Sequence, residues 1–335
     1  MDQETGKPKT RSREEFVAFL QQIGQTNIDG RPAQASRTAF ITAFMRAFHS
    51  INENPKVFDD SMAVRLLSTE EYAFFEEMYY RGTVKDESEE LPSPAQRRAV
   101  VTAVLRAGAA GGVLSRARFA EDSLEKAIIQ GVRQYVLLGA GLDTFALRRP
   151  DLLDKIQIIE VDHPATQALK RHRLSAMGFL APRSLQFIAV DFAQENLPHA
   201  LSRSSFNSKI PSFFSWLGVT YYLARENLFQ VLHSLSEAAA PHSQVAFDYM
   251  DIEAFDPDMA TPQVKDLRDK VRLLGEPMKT GLDPKTLEKD LSQVGWKLVQ
   301  NLAPKDIEKI YFQDGTDGFR AGKHIHLALA ALPGK

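Results

Sequence analysis

The sequence predicts an α/β protein: a mainly parallel, seven-stranded sheet carrying a helical cap on its N-terminal side. Three observations predict it. Beyond about residue 112, short apolar runs alternate with helix-like stretches. Those runs are apolar throughout rather than at every second position, as strands buried on both faces require. The chain before them carries helical periodicity instead.

Taken in order, the first fifteen or so residues mix charges with little apolar content and are expected to fray. From Glu14 to about Met78 the pattern is helical, with Phe40, Phe44, Ala47 and Phe48 on one face and Phe74, Phe75 and Met78 on another. Residues 84–94, with Asp86, Glu87, Glu89, Glu90 and two prolines, read as a solvated connection. Helical character resumes at Ala95 and is expected to stop at Gly111-Gly112. This gives a cap and tail over 1–112 and a sheet domain over 113–335. The expected strands are Tyr135–Gly139, Ile156–Val161, Leu185–Val190, Ser212–Leu217, Gln244–Tyr249, Trp296–Leu302 and His324–Ala331. Helical patterns lie between most of them, notably at Pro164–Met177, Ala224–Ala239 and Pro284–Val294. Residues 251–281 have no readable pattern.

Composition narrows the class. With 335 residues, 44% hydrophobic and 25% charged, the chain can bury a sizeable core and still form a cleft. A formal charge of −2 gives no basic excess of the kind that phosphate backbones require, so nucleic acid is not an expected partner. The absence of cysteine removes disulfides, zinc–thiolate sites and a thiol nucleophile together. The polar opening MDQETGKPKTRSREEF lacks the apolar core of a signal peptide, and no apolar run nears the ~20 residues of a membrane span. A cytoplasmic protein without a membrane partner is expected, and its oligomeric state is not readable.

In parallel sheets, ligands gather at the carboxyl ends of the strands. The first run ends in LLGAGLDT, where Gly139 and Gly141 permit a tight turn and a close backbone approach. The second ends in IIEVDHP; Asp162 stands twenty-one residues after Gly141, the interval at which an acid reaches ribose hydroxyls. The third ends in FIAVDF, where Asp191 can accept from an adenine amino group and Phe192 can pack on the ring. Together they describe an adenosine pocket. A dinucleotide site would normally have a third glycine where this chain has Thr144, and Asp143 would repel a pyrophosphate. A zwitterionic amino-acid tail tolerates that acid, which favours S-adenosylmethionine over NAD.

The runs LLGAGLDTFALR, EVDHPATQALK and AVDF resemble the leucine carboxyl methyltransferase family, which includes enzymes similar to the tetracenomycin carboxyl methyltransferase of secondary metabolism. SRTAFITAFMRAF (36–48), FDDSMA (58–63), RARFAEDSL (116–124) and FFSWLGVTYYL (213–223) extend the resemblance over roughly residues 36–250. It implies a Rossmann-like class I methyltransferase sheet and transfer of methyl from S-adenosylmethionine to oxygen, often a carboxylate. It places Gly139 and Gly141 under the methionine part of the cofactor, Asp162 on the ribose, and Asp191 and Phe192 on the adenine. Arg116, with Arg118 close by, matches the arginine that pairs with the cofactor's carboxylate. Where many relatives have an acid on the fourth strand, this chain reads Ser215-Trp216-Leu217-Gly218, and a backbone carbonyl is expected to replace that contact.

A carboxylate acceptor is ionised at neutral pH and needs orientation rather than a base; a hydroxyl would need a base in reach. Arg37, Tyr222 and Tyr249 are the expected catalytic orienters, with Arg46 as a further cap arginine and His163 as the best-placed histidine. The acceptor is expected to be a small-molecule acid or a protein C-terminal carboxylate. Neither Glu160–Asp162–His163 nor His324–His326 makes a convincing ligand set, so no metal is expected. Two other readings stay open: an NAD-dependent oxidoreductase, and a non-catalytic protein that keeps the fold for binding.

Overall fold

The computed structural model describes residues 13–28, 30–82, 93–191, 195–312 and 318–334. Most of the expected frayed tail and of the acidic connection lie outside these residues. All seven expected strands form, within a residue or two: β3 (Gln134–Leu138), β4 (Gln157–Asp162), β5 (Leu185–Ala189), β6 (Ser212–Trp216), β7 (Gln244–Met250), β8 (Lys297–Leu302) and β9 (Ile325–Ala331). They make one sheet in the order β5-β4-β3-β6-β7-β9-β8, parallel from β5 to β7, with β9 antiparallel between β7 and β8. Strand order reverses between β3 and β6, which opens a crevice at their carboxyl ends.

A small antiparallel hairpin, β1 (Gln25–Ile28) and β2 (Arg31–Gln34), interrupts the stretch whose pattern reads as helical from Glu14 to about Met78. It separates α1 (Arg13–Gln22) from α2 (Arg37–Asn52), which is followed by α3 (Thr69–Arg81), α4 (Pro94–Ala107) and α5 (Ala110–Ile129). The helical break falls at Gly108, and α5 runs straight through Gly111-Gly112. Gly111 serves packing rather than termination: a Cβ there would stand 2.1 Å from the Arg320 carbonyl oxygen. The sheet's own helices are α6 (Phe145–Arg148), α7 (Pro164–Ala176), α8 (Leu197–Ser202), α9 (Arg225–Ala238), α10 (Pro262–Leu273), α11 (Leu287–Gln293) and α12 (Pro304–Tyr311). Among the described residues no single helix is long and apolar enough to cross a membrane.

The period-2 alternation of the strands sends side chains to two cores. Tyr135, Leu137, Ile158, Phe213 and Ala246 face the cap, α5 and α7. Val136, Leu138, Ile159, Phe214, Trp216, Phe247 and Tyr249 face α8, α9 and α11, where Leu228, Leu232 and Leu235 line one stripe of α9. In the cap, Phe40, Phe44 and Phe48 repeat every four residues along α2 and are fully buried. The Phe44 ring meets those of Phe48, Tyr72, Phe75 and Tyr79 at 5.1–5.8 Å.

A buried charged chain bolts this cap to the sheet. Arg46 on α2 donates from Nε to Asp60 (2.8 Å) and from Nη2 to the Leu142 carbonyl (2.7 Å). Asp60 also accepts the Thr144 hydroxyl and the Ala63 N–H, and lies 3.3 Å from the Arg148 Nε. Arg148 pairs onward with Glu121 on α5. Burial alone would raise the Asp60 carboxyl, but Arg46, Arg148 and Thr144 hold it below its usual value. Farther along, Glu71 of α3 completes a capping box with Ser68 and pairs with Arg173 of α7 at 2.6 Å.

Candidate active site

The β3–α6 loop supplies the floor of the crevice. Gly139 and Gly141 both have positive φ (71° and 52°), a conformation that suits glycine. A Cβ on Gly139 would come within 2.4 Å of the Val219 side chain, across the gap where strand order reverses. Asp162 ends β4 beside this loop and accepts the Gly141 and His163 N–H groups, the latter at 2.6 Å. Burial raises its carboxyl while those two N–H groups oppose the rise. Asp191 stands half-buried just past β5, at the same end of the sheet. Phe192 lies outside the described residues.

Arg116 reaches this end of the sheet from α5. Its Nη1 donates to Asp248 on β7 (3.0 Å) and to the Tyr221 hydroxyl (2.9 Å). Its Nη2 rests on Gly218, where an added Cβ would approach to 2.6 Å. Burial works against the guanidinium charge, yet Tyr221 and Asp248 raise its pKa above the ordinary value. Arg118 instead points outward to Asp122 and is half-exposed, so the structure separates the two neighbouring arginines.

The fourth-strand motif divides between the two faces. Ser215 accepts the Tyr135 hydroxyl at 3.0 Å on the cap side, whereas Trp216 is buried on the other. The Gly218 N–H donates to Asp248 at 2.6 Å, so an acid from the next strand stands beside this turn. Asp248 was missed in the sequence. Its signal was an acid inside a run, VAFDYM, that was expected to be apolar throughout.

Two expected catalytic residues are corrected. Tyr249 points to the far face, where its hydroxyl donates to Asn301 (3.0 Å) and its ring stacks on His326. One residue along a strand reverses the face, so Asp248 occupies the crevice side instead. Arg37 spends its guanidinium on the Leu274 carbonyl (3.0 Å), Gln34 (3.2 Å) and the Gln21 carbonyl (3.3 Å), a joint between cap and loop. Arg46 belongs to the buried bolt. His163 caps α7, its ring Nδ1 accepting the Ala165 N–H at 3.3 Å. His324 and His326 share Asp251 at 2.8 and 3.6 Å, and no set of metal ligands occurs among the described residues.

Tyr222 does stand on the crevice side, in the short turn after β6, with its hydroxyl bonded to Thr38 of α2 and Glu276 nearby. Burial, helped by Glu276 and opposed by Thr38, pushes this phenol up to about 12. At neutral pH it is a hydrogen-bond donor. Thr38 and Glu276, more than two hundred residues apart, carried no sequence signal of their meeting.

Comparison with known proteins settles the family. The model of the leucine carboxyl methyltransferase family matches residues 39–236, from α2 through α9. The chain belongs to that family. A Bacillus subtilis protein named as the S-adenosyl-L-methionine-dependent methyltransferase YktD is 33% identical over 88% of this chain and 97% of its own length. A Mycobacterium marinum protein named for the same activity is 32% identical over 63% of this chain and 65% of its own. The crystal structure of a Thermobifida fusca protein described as a methyltransferase superposes with a TM-score of 0.50 at 14% identity, covering 72% of this chain and 90% of that one; it supports the fold. The protein is therefore a class I methyltransferase dependent on S-adenosylmethionine.

Proposed function

We propose that this methyltransferase transfers its methyl group to a carboxylate oxygen, on a small-molecule acid or at a chain terminus. The observation that carries this reading is the state of the titratable groups on the acceptor side. Tyr222 keeps its proton at neutral pH. Glu276 accepts bonds from the first turn of α2, Asp248 is paired with Arg116, and His163 caps a helix. None of these is a base poised to deprotonate an alcohol, and a carboxylate needs none. Membership in a carboxyl methyltransferase family supports the same acceptor.

The residues present suit the cofactor. The glycine loop leaves space that side chains would fill, Asp162 offers remaining lone pairs to ribose hydroxyls, and Asp191 offers its carboxylate to the adenine amino group. The Arg116 guanidinium, fixed by Asp248 and Tyr221, would hold the methionine carboxylate. When bound, the cofactor supplies a methyl already activated by its sulfonium. The chain's task is then alignment: the Tyr222 hydroxyl, exchanging Thr38 for the substrate, orients the acceptor carboxylate, and α2 roofs the crevice against water.

The test uses S-adenosylmethionine labelled in its methyl group and a panel of carboxylic acids. Label that alkali releases as methanol, at a rate flat between about pH 6 and 8, is the expected result. Alkali-stable label, or a rate climbing through that range, would refute the carboxylate reading.

A further inference from the structure

The first turn of α2 is held from two directions. Toward the sheet, the Ser36 N–H donates to the Thr166 hydroxyl at 3.0 Å, just past Asp162, and the Ala39 methyl stands 3.4 Å from where a Cβ on Gly141 would be. This turn thus lies over the glycine loop and the start of α7, beside Asp162. Away from the sheet, one carboxylate gathers it. Glu276 accepts the Arg37 N–H (2.6 Å), the Thr38 N–H (3.4 Å), the Ser36 hydroxyl (3.1 Å) and the Thr38 hydroxyl. A negative charge is favoured there by the helix dipole. The Arg37 side chain grips the same strap through the Leu274 carbonyl.

The strap has a fixed far end. The N–H groups of Lys279 and Thr280 donate to the Tyr221 carbonyl, the Thr280 hydroxyl to the Leu223 carbonyl and the Leu282 N–H to the Met250 carbonyl. Residues 279–282 are therefore tied to the ends of β6 and β7, while Glu276 three residues earlier is tied to the cap. Tyr222 sits between them, its hydroxyl on Thr38.

We propose that Glu276 is a latch: its carboxylate holds the roof of the cofactor crevice shut against the sheet-anchored strap, and its release sets how fast the cofactor side opens. The inference rests on the cofactor assignments made above for Gly141 and Asp162. An adenosyl ligand that reaches Gly141 and Asp162 from the cap side must displace Ser36–Ala39, and the four bonds to Glu276 are what that movement breaks. The bound and free states both carry the latch, so loosening it speeds passage in each direction and leaves affinity nearly unchanged.

The experiment is rapid-mixing kinetics of S-adenosylhomocysteine with the full chain, comparing wild type, Glu276→Gln and Thr38→Val. Glu276→Gln keeps length and one acceptor while removing the charge; Thr38→Val removes one hydroxyl at constant shape and guards against a folding defect in the first variant. In both variants the association and dissociation rate constants should rise together, by about fivefold or more, with Kd changed by less than about twofold. Unchanged rate constants, or a weaker Kd arising from dissociation alone, would overturn the latch while leaving the cofactor site standing. Failure of wild type to bind would overturn the cofactor assignments and the latch with them.

Discussion

Asp60→Asn perturbs the bolt between cap and sheet at its centre. The native carboxylate is 1% exposed and faces two guanidiniums, with Arg46 at 2.8 Å and Arg148 at 3.3 Å. Arg148 retains Glu121 in the variant, and Arg46 retains only the Leu142 carbonyl. The amide offers a single acceptor oxygen in place of two and turns an N–H toward a donor, either Arg46 on one side or Thr144 and Ala63 on the other. Breaking a buried pair in this way costs about 3–5 kcal/mol, because one charge is left buried without its partner. Urea unfolding at neutral pH, followed by circular dichroism, measures the loss. Removing the abandoned cation as well, in Arg46→Met/Asp60→Asn, should cost less than the two single changes added together, by more than about 1 kcal/mol. A loss under about 1 kcal/mol for Asp60→Asn, or strict additivity in the cycle, would refute the reasoning. The Asp60 carboxyl is held below 3.8, so this stabilisation persists through the neutral range and fades only as acid brings the pH beneath that value.

Two further outcomes follow from the site and the cap. Asp162→Asn keeps an acceptor for one of the two N–H groups but cannot serve the ribose as an anion; S-adenosylhomocysteine affinity should fall about 10- to 100-fold by calorimetry, and wild-type affinity would sink the ribose assignment. His49 accepts the Val57 N–H at 2.9 Å through Nε2, and burial lowers its pKa from 6.5 to about 4. Below pH 6.5 the unfolded chain takes up a proton that the folded chain refuses, so stability should decline between pH 6.5 and about 4. His49→Phe should flatten that decline in urea midpoints measured across the window, and an undiminished slope would assign it to other groups.

The sheet was legible because each of its strands is a short, dense apolar run set off by helix-like segments. The glycine loop and Asp162 were legible because their spacing is local. The hairpin escaped because Gln25–Ile28 and Arg31–Gln34 are only four residues each, mostly polar, and nowhere more than half-buried, so neither makes an apolar run. Its one signal was the Asp29-Gly30 pair, a frequent hairpin turn. Tyr249 was assigned to the wrong face because an all-apolar strand conceals its own parity; only the lone acid Asp248 reveals it. Arg37 and Glu276 were unreadable in their actual roles, since both depend on a contact across 239 positions of chain.

The division of β6 and β7 between two faces limits how a protein of this kind can diversify. On the crevice side, Ser215 and Asp248 are committed to Tyr135, Gly218 and Arg116. On the far side, Trp216 and Tyr249 are buried in the core against α8, α9 and α11. A change at any of these four positions therefore disturbs a buried bond or the packing. The 251–281 excursion is different: outside the contacts of Asp251, Glu276, Lys279 and Thr280, many of its side chains are exposed, so it can change sequence while the sheet stays the same.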